Sequence, residues 1–537
     1  MAEPFSCSRV NEWKTMAKYL MNRILYGIFS LVVVVAIVMI LIYSMLNRDL
    51  VFAGDSTFVK QSGNQKEAYM YMKWEQFGYV DYVPYADYLN ELVRSGKIDE
   101  DTRAAVVSIG RTADKDSELT AQYVSQFKEY YESRGYTVKR LDAKTSGKKI
   151  AAGGQQQLFA YRNIPLRTRI LKYFAGLLSF DNIHKVENIV GDRGLTFTLH
   201  DPVYGGNKFS PAILGNGTYH KYLLYCDNKF PFIHQQFVTL NLGMSYTVNQ
   251  GIDVFTTMST PQGSYVKSMI TYPTGLVEES ADDLHTATYL EGSLSSSMVY
   301  ADRFVDDYTN VNTTKAGLSK VGYSFVIGFI EVMLAYVIGI PIGVVMARKK
   351  DKLVDKLGTM YIVFVIAIPS LAYIFMIKAI GGKAGLPTTF DMESTSALMY
   401  IMPIVSMALP SIGGLMKWMR RYMIDQMNSD YVKFARSGGL SEREIFSKHI
   451  MKNAIIPITH GIPGSVLGAL VGAIITERVY VVPGAGNLLT TAINKYDNGV
   501  IVGVTLFYAT LSVVSIILGD LLMAVMDPRI SFTTKDR

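Results

Sequence analysis

Apolar residues are concentrated in two parts of the chain, and a long polar stretch separates them. The first apolar run, 24–45, has about 22 residues, which is enough for one helix to cross a hydrocarbon layer about 30 Å thick. No comparable run follows for about 270 residues, and then five occur in close succession, at 321–347, 357–380, 398–416, 462–482 and 500–526. The pattern predicts an all-α membrane domain with six transmembrane helices.

Basic residues indicate the orientation of these helices. They cluster before the first run and in the connections after the second and fourth runs, at Arg9, Lys14, Lys18, Arg23, Arg348, Lys349, Lys350, Lys352, Lys356, Lys417, Arg420, Arg421, Lys433, Arg436, Arg443, Lys448 and Lys452. The two short loops on the opposite side, with the adjacent helix ends, hold Lys378, Lys383, Arg478 and Lys495. Because basic loops stay in the cytoplasm, we expect both termini to be cytoplasmic and residues 46–318 to be extracellular.

The polar stretch 46–318 has the pattern of a folded domain inserted between the first two helices. Segment 114–135 has apolar positions at helical spacing and ends at a glycine, and 136–141 alternates as a strand does. Residues 106–109 are a second candidate strand. Segment 166–180 predicts an amphipathic helix that lies either on the membrane surface or against the domain core. We therefore expect a mixed α+β extracytoplasmic domain.

Composition and motifs argue against an enzyme or a nucleic-acid-binding protein. The net charge is +7, but the basic residues lie beside apolar runs, as membrane topology requires. The sequence contains no G-x-x-x-x-G-K-[ST], H-E-x-x-H or G-x-S-x-G motif, and its histidines lack metal-ligand spacing. We expect no catalytic residue, no metal site and no cofactor in this chain, so any ATP-driven step must use partner subunits.

The most informative polar segment is 428–457, which joins the fourth and fifth predicted helices on the cytoplasmic side. Ser429 or Asp430 is suited to cap a short helix. Gly438 and Gly439 then end that helix, because glycine accepts the left-handed backbone of a helix C-terminus.

A second helix is predicted to begin directly after this turn. Ser441 and Glu444 form an S-x-x-E capping box. A helix, a glycine turn and a capped helix make a compact bracket between two transmembrane helices. Such a bracket can transmit force if another protein docks on it, and the alternative is an ordinary loop between helices.

The bracket resembles the EAA loop of ABC importer permeases, in the version found in oligopeptide and dipeptide permeases. Residues 434–441 (FARSGGLS) correspond to the core of that loop, and 453–457 (NAIIP) to its end. Lys433 stands where the general permease pattern has glutamate, and the spacing from glycine to proline is longer than in sugar permeases. Both departures fit the peptide branch and argue against a sugar transporter.

Further motifs agree with this resemblance along the chain. They are 18–25 (KYLMNRIL), 240–245 (LNLGMS), 339–343 (GIPIG), 368–370 (IPS), 477–486 (ERVYVVPGAG) and 527–530 (DPRI). The resemblance covers 1–45 and 320–530 well and 46–318 poorly. A large outer insertion is typical of the AmiC-like, Gram-positive form of the OppB-type permease, so the resemblance implies a Gram-positive source.

The resemblance implies a type I ABC importer permease fold that forms half of a translocation pathway in the plasma membrane. The expected domains are the N-terminus with the first helix, the extracytoplasmic domain, the permease domain with helices 2–6, and a cytoplasmic tail, at 1–45, 46–318, 319–530 and 531–537. The bracket 428–457 is the expected coupling loop.

The resemblance also implies partners. They are an OppC-like second permease, OppD-like and OppF-like ATPases that use ATP and Mg²⁺, and an OppA-like lipid-anchored peptide-binding protein. A dipeptide or nickel-chelate permease is an alternative within the class. A membrane peptide receptor, whose helices only signal, is an alternative from another class.

Two groups of candidate functional residues follow. The resemblance implies coupling to an ATPase through Ala435, Gly438, Gly439, Leu440, Ser441 and Glu444. Glu331 and Glu477 lie in or near transmembrane helices, where acids usually face a cavity or a partner, and Ser370 follows a proline that frees a backbone carbonyl. These three are candidates for the translocation pathway. The alternatives are a structural hydrogen bond and, for Glu477, a local charge pair with Arg478.

The outer block, 46–318, is far longer than a connection between two helices needs. It could dock the peptide-binding protein, cap the pathway or act only as a stabilising lid, and docking is the hypothesis we favour. Its tyrosine-rich stretches, 69–71 and 79–88, suit a contact surface, because tyrosine offers contact area with a polar tip. The same residues also suit a domain core.

Overall fold

The computed structural model of the protein describes residues 5–180, 192–201, 209–226, 231–233, 238–289, 301–304, 309–392, 394 and 396–526. The expected ending motif 527–530 and the tail 531–537 lie outside these residues. Helix α1 spans Phe5–Met45 and contains the first predicted transmembrane segment. Many of its apolar side chains from Met21 onward are exposed in the isolated chain, as a lipid-facing helix requires.

The outer block begins with a lobe built on an antiparallel sheet of order β1-β5-β2. Its strands are β1 (Val80–Pro84), β2 (Thr137–Leu141), β3 (Thr145–Ser146), β4 (Lys149–Ile150) and β5 (Gln157–Asn163). Its helices are α2 (Ser56–Lys60), α3 (Gly63–Gln76), α4 (Tyr85–Arg94), α5 (Glu100–Val106) and α6 (Glu118–Glu132). Aromatic side chains fill its core, where the ring of Tyr71 lies 5.1 Å from Trp74 and 5.0 Å from Phe159 between centroids.

The rest of the outer block is dominated by short antiparallel strands. Helix α7 (Leu166–Gly176) leads into β6 (Leu178–Phe180), and α8 (Val254–Ser259) follows β11. The other strands are β7 (Gly194–Thr198), β8 (Ala212–Asn216), β9 (Tyr222–Cys226), β10 (Pro231–Ile233), β11 (Val238–Leu240), β12 (Ser268–Thr271), β13 (Val277–Ser280), β14 (Asp282–Tyr289) and β15 (Thr309–Thr313). One four-stranded sheet has the order β10-β9-β8-β7, and the pairs β11-β6, β12-β13 and β14-β15 complete the arrangement. The block therefore contains both helices and sheets.

Two local predictions for the outer block need correction. Residues 106–109 do not form a strand, because Val106 is the last residue of α5 and is fully buried there. The predicted helix 166–180 ends at Gly176, and the chain then enters β6. Helix α7 packs Ile170, Tyr173 and Phe174 against a cluster that includes residues of α1. The apolar contacts of α7 are therefore with the cluster that contains residues of α1 and of the later helix Asn498–Met526, and the core clusters of the first lobe contain no residue of α7.

From residue 320 onward the described elements are helices. They are α9 (Lys320–Arg348), α10 (Leu353–Ala367), α11 (Ser370–Lys383), α12 (Leu398–Met427), α13 (Asp430–Ser437), α14 (Glu442–Glu444), α15 (Lys452–His460), α16 (Ile462–Tyr480), α17 (Ala485–Asn494) and α18 (Asn498–Met526), with a π-helical segment, Ile445–Met451, between α14 and α15. Among the described residues, five helical runs are long and apolar enough to cross a membrane, and α10 with α11 is a bent pair that makes up to six.

The third predicted span, 357–380, is not one straight helix. Helices α10 and α11 are bent by 107° relative to each other. The break lies at Ile368, whose backbone is extended (φ −86°, ψ 129°), and Pro369 explains it, because proline disfavours the helical conformation of the residue before it. Helix α12 nevertheless continues through Pro403 and Pro410, so proline alone does not identify the break in the sequence.

Helices α1 and α18 are held together at the end where α1 begins its apolar segment. The Tyr19 hydroxyl donates to Asp520 Oδ2 (3.0 Å), and Arg23 Nη2 lies 3.0 Å from the same oxygen. The other end of α18 begins next to the outer block, at Asn498, whose Nδ2 donates to the hydroxyl of Tyr79 (2.9 Å). The beginning of the first span and the end of the last therefore lie on the same side of the helix bundle.

Asp497, between α17 and α18, anchors the outer block to the membrane helices. Its carboxylate accepts the hydroxyl of Ser245 (2.7 Å) and the backbone N–H groups of Tyr246, Thr247 and Val248 (2.8, 2.9 and 2.8 Å). Asp497 is fully buried. A buried carboxylate needs such donors to offset the loss of its water shell, so the segment after the motif 240–245 is tied to the start of α18.

Aromatic and cationic groups reinforce the same junction. The guanidinium of Arg169 on α7 lies 3.8 Å from the ring centroid of Tyr43 on α1 and 3.9 Å from that of Tyr79. The hydroxyls of Tyr43 and Tyr246 are 3.2 Å apart, and the Tyr246 hydroxyl donates to the carbonyl of Phe77 (3.1 Å). The first span, the outer lobe and the last span thus share one connected contact region.

We expect Asp497→Ala to destabilise the protein by about 3 kcal/mol, because it leaves several buried donors without an acceptor. Thermal unfolding of the purified protein in detergent, together with limited proteolysis of the outer block, measures this effect. Asp49→Ala is the matched control, since Asp49 is an exposed acid. Equal unfolding midpoints for the two variants would contradict the anchoring role of Asp497.

Candidate functional site

The predicted bracket forms as two helical limbs. Helix α13 is preceded by Ser429, whose side chain donates to the Gln426 carbonyl (2.6 Å) and makes no cap to α13. The capping box is confirmed: Glu444 N donates to Ser441 Oγ (3.3 Å), and Ser441 N donates to the Glu444 carboxylate (3.4 Å). The local sequence therefore defines where the second limb starts.

The two glycines between the limbs play different roles. Gly439 has φ +82° and is left-handed, whereas Gly438 has φ −75°, which any residue adopts. A Cβ at Gly439 would meet no heavy atom within 4 Å. Glycine is therefore required at 439 by the left-handed backbone conformation, and not by a lack of space for a side chain.

The bracket is fixed to the ends of α9 and α12 by its apolar side. Val432 and Ile445 are fully buried, and they belong to one cluster with Ala347, Met419 and Met423. Two apolar side chains of the bracket instead face solvent, Phe434 (79% exposed) and Leu440 (40% exposed). A rigid support with exposed apolar side chains is what a docking element requires.

A surface cavity of about 710 Å³ lies between the limbs of the bracket and the end of α18. Its lining residues are Tyr431, Phe434, Ala435, Gly438, Leu440, Lys448, His449, Lys452, Asn453, Ile456 and Met526. Three of the predicted coupling residues, Ala435, Gly438 and Leu440, line it, and the other three, Gly439, Ser441 and Glu444, do not.

Charged pairs lie along the exposed side of the bracket. The Lys433 ammonium is 2.8 Å from the Asp430 carboxylate, and its hydrogen bond lowers the pKa of Asp430. Arg436 on α13 bonds both carboxylate oxygens of Glu442 on α14 (2.5 and 3.1 Å) and so links the two limbs. Exposed pairs of this kind contribute little stability, so they are free to exchange for a partner's charges.

The second limb is longer than the sequence indicated. The helical run continues from Glu442 to Tyr480 with one turn residue, Gly461, between α15 and α16. It passes through the π-helical segment Ile445–Met451 and through Pro457, which lies inside α15. Helix α16 begins at Ile462, where the fifth span was predicted to begin. One helical run therefore connects the bracket to the membrane part of the chain.

A cavity of about 550 Å³, here named the membrane cavity, lies among α9, α11, α12 and α16. Its lining residues are Glu331, Val332, Ala335, Tyr336, Ser370, Tyr373, Ile374, Met407, Pro410, Ser411, Gly414, Leu415, Ser465, Gly468, Ala469, Ile475 and Thr476. It brings together two of the three predicted pathway residues, Glu331 and Ser370. Ser370 is the first residue of α11, at the bend after α10.

Sequence reasoning missed several polar residues of the membrane cavity. The hydroxyls of Tyr336 and Ser465 lie 3.1 Å apart. The hydroxyl of Ser411, which donates to the Met407 carbonyl (3.2 Å), also lines the cavity. A signal for Ser411 was present, because it follows Pro410 as Ser370 follows Pro369. The positions of Tyr336 and Ser465 carry no comparable pattern.

Glu477 lies outside the residues that line the membrane cavity. Its carboxylate accepts the hydroxyl of Ser324 on α9 (2.5 Å) and the backbone N–H of Asn487 on α17 (2.9 Å). A Cβ at Gly484 would overlap this carboxylate. Arg478 donates to the side chain of Asn487 (3.3 Å). Glu477 thus joins α16, α9 and the start of α17, as the structural alternative states.

Comparisons with known proteins show which family the chain belongs to. A family model described as "Binding-protein-dependent transport system inner membrane component" matches residues 339–532. The oligopeptide transport system permease protein AmiC of Streptococcus pneumoniae is 32% identical over 527 residues, which cover 97% of this chain and 99% of that protein. The chain belongs to this family of transport-system permeases.

Shorter relatives match a smaller share of the chain. The dipeptide transport system permease protein DppB of Lactococcus lactis is 29% identical over 224 residues, covering 42% of this chain and 73% of that protein. DppB of Bacillus subtilis is 28% identical over 215 residues, covering 40% and 68%. The alignment with AmiC, unlike these two, extends across the outer block.

Membership has direct consequences for the chain's role. The protein is a transmembrane permease subunit with several membrane-spanning helices, and its family is not itself catalytic. A permease of this kind works with a second permease, ATPase subunits and a substrate-binding protein. The match supports the type I importer permease fold for the helices within residues 339–532.

We expect Gly439→Val to abolish transport while the protein is still made and inserted, because a β-branched residue strongly disfavours φ +82°. Initial uptake rates in cells that lack the native gene, normalised to the membrane level of the variant, measure this. Gly385→Val is the control, since Gly385 has a similar φ of +80°, no heavy atom lies within 4 Å of an added Cβ, and the residue lies outside the bracket. Normal uptake by Gly439→Val would show that the turn geometry is dispensable.

We expect Glu477→Ala and Ser324→Ala each to destabilise the protein, and the double variant to lose less than the sum of the two. Contacting residues of this kind have coupling energies of about 0.5–3 kcal/mol. Thermal unfolding midpoints of the four proteins in detergent provide the measurement. Additive losses would mean that the Glu477 carboxylate and the Ser324 hydroxyl do not stabilise the fold through each other.

Proposed function

We propose that this chain is the OppB-type permease subunit of an ATP-driven oligopeptide importer and forms half of its translocation pathway. The observation that carries the proposal is the helical run from Glu442 to Tyr480. One end of this run begins in the bracket, and its membrane part supplies Ser465, Gly468 and Thr476 to the membrane cavity. The similarity to an oligopeptide permease over nearly the whole chain supports peptides as the cargo.

Six transmembrane helices, with α10 and α11 as one broken span, are part of the proposal. The uneven distribution of basic residues supports cytoplasmic termini and an extracellular block at 46–318. The pairing of Arg23 with Asp520 agrees with termini on one side. The proposed domain division is 1–45, 46–318, 319–530 and 531–537, in the plasma membrane of a Gram-positive bacterium.

The proposed partners follow from the surfaces of the chain. The bracket, through Ala435, Gly438, Gly439, Leu440, Ser441 and Glu444, docks on an OppD-like or OppF-like ATPase, which uses ATP and Mg²⁺. The exposed side chains of Phe434 and Leu440 support this assignment. An OppC-like permease completes the pathway, and an OppA-like lipid-anchored protein delivers peptides.

Docking of the binding protein remains the proposed role of the outer block, but the positions of its tyrosine side chains do not support this role. Tyr71, Tyr79, Tyr82, Tyr85 and Tyr88 are each less than a tenth exposed and belong to the core of the first lobe. The remaining support for docking is the contact of the outer block with the membrane helices. A binding protein that docks on this block would act on α1 and α18 through the junction at Asp497.

Purification of the tagged chain from its native host in a mild detergent tests the proposal. We expect ATPase subunits and a second permease to co-purify, and peptide uptake to be lost from a strain that lacks the chain. A matched preparation of Gly439→Val should retain the second permease and lose the ATPases. Purification without any ATPase from a strain that still imports peptides would favour a receptor instead.

A further inference from the structure

The membrane cavity contains one carboxyl group in an unusual setting. Glu331 is 2% exposed, and it lines a cavity of about 550 Å³. Its Oε1 atom has no hydrogen-bond partner among the described residues. The hydroxyl of Ser411 lines the same cavity and donates to the carbonyl of Met407 (3.2 Å). A buried polar atom that faces a cavity without a partner is suited to a ligand.

The other lining residues define the chemistry of that ligand. Among the described residues that line the membrane cavity there is no lysine, arginine, histidine or second acid. The polar groups besides Glu331 are neutral hydroxyls, including those of Ser370, Ser465 and Tyr336. An acid in a membrane helix normally pairs with a cation or faces water, and this cavity supplies no cationic side chain of its own.

The size of the cavity and the spread of its hydroxyls fit a short stretch of peptide. Ligand sites of about 300–1,000 Å³ hold molecules of that size. Hydroxyl groups both donate and accept, so they suit the amide groups of a backbone whose sequence varies. Glu331 is then the one lining group that distinguishes an ammonium from a neutral end.

We propose that Glu331 binds the ammonium groups of peptides in transit, the free amino terminus first and lysine side chains second. This inference rests on the proposed function, since it takes peptides as the cargo. An approaching cation favours the ionised form of a carboxyl group, and it gives a charge-assisted hydrogen bond to Oε1. A single such contact is weak enough to release the peptide, as passage through a pathway requires.

Uptake of a matched peptide pair by the complete transporter tests this inference. The pair is tri-alanine and N-acetyl-tri-alanine, measured as initial rates in cells with wild-type chain, Glu331→Gln or Glu331→Asp. We expect Glu331→Gln to slow tri-alanine about tenfold, which corresponds to about 1.4 kcal/mol, and to change the acetylated peptide less than about twofold. Glu331→Asp should keep the preference for the free amine.

The same binding protein serves all variants, so its own selectivity cancels when each variant is compared with wild type. If N-acetyl-tri-alanine is not imported by wild type, propionyl-Ala-Ala, which has nearly the size of tri-alanine and lacks its amino group, replaces it as the neutral peptide. Glu331→Met is a second variant of similar length without a polar group, and it should insert readily because a membrane helix tolerates it better than an acid.

The outcomes separate this inference from the proposed function. Equal slowing of both peptides would assign Glu331 a purely structural role and overturn the inference. Unchanged rates for both peptides in Glu331→Gln would overturn it as well. In either case peptide uptake by the wild-type chain would still support the permease assignment, which fails only if no peptide is imported through this chain.

Discussion

The buried carboxylate of Asp497 is the interaction on which the arrangement of the whole chain depends. It accepts four hydrogen bonds from residues 245–248 and a fifth from Val500 N (3.1 Å). Breaking one partner of such a buried set leaves the other groups desolvated and unpaired, which is why the set is formed completely or not at all. It holds the outer block on α18, and through Tyr246 and Tyr43 it also positions α1.

A second constraint shapes the membrane part. Backbone polar groups in a bilayer have no water to bond, so helices persist even where the sequence disfavours them. The run from Glu442 to Tyr480 crosses Pro457 and a π-helical segment and remains helical. The bracket and part of the lining of the membrane cavity therefore belong to one helical run. The same constraint applies at the break before Pro369, where the backbone of Ile368 is extended and the nearby Ser370 lines the membrane cavity.

Glu331 and Glu477 have similar surroundings in the sequence but different contacts in the folded chain. Glu477 has hydrogen-bond donors from two other helices and a glycine turn shaped around its carboxylate. Glu331 has a neighbouring hydroxyl and an open cavity. The first arrangement satisfies the carboxylate within the fold, and the second leaves Oε1 without a partner among the described residues. Both glutamates satisfied the same pattern, an acid within an apolar run, because periodicity carries no information about neighbours from distant segments.

The amino-acid sequence by itself determined the features that depend on local physics. These are the apolar runs, the asymmetry of basic residues, and the bracket with its capping box at Ser441 and its left-handed Gly439. Only the tertiary structure decided that 106–109 is not a strand, that the tyrosines of 79–88 are core and that the third span bends by 107°. The reason is physical: hydropathy and capping act within a few residues, whereas burial, helix breaks and carboxylate partners depend on segments that meet only after folding.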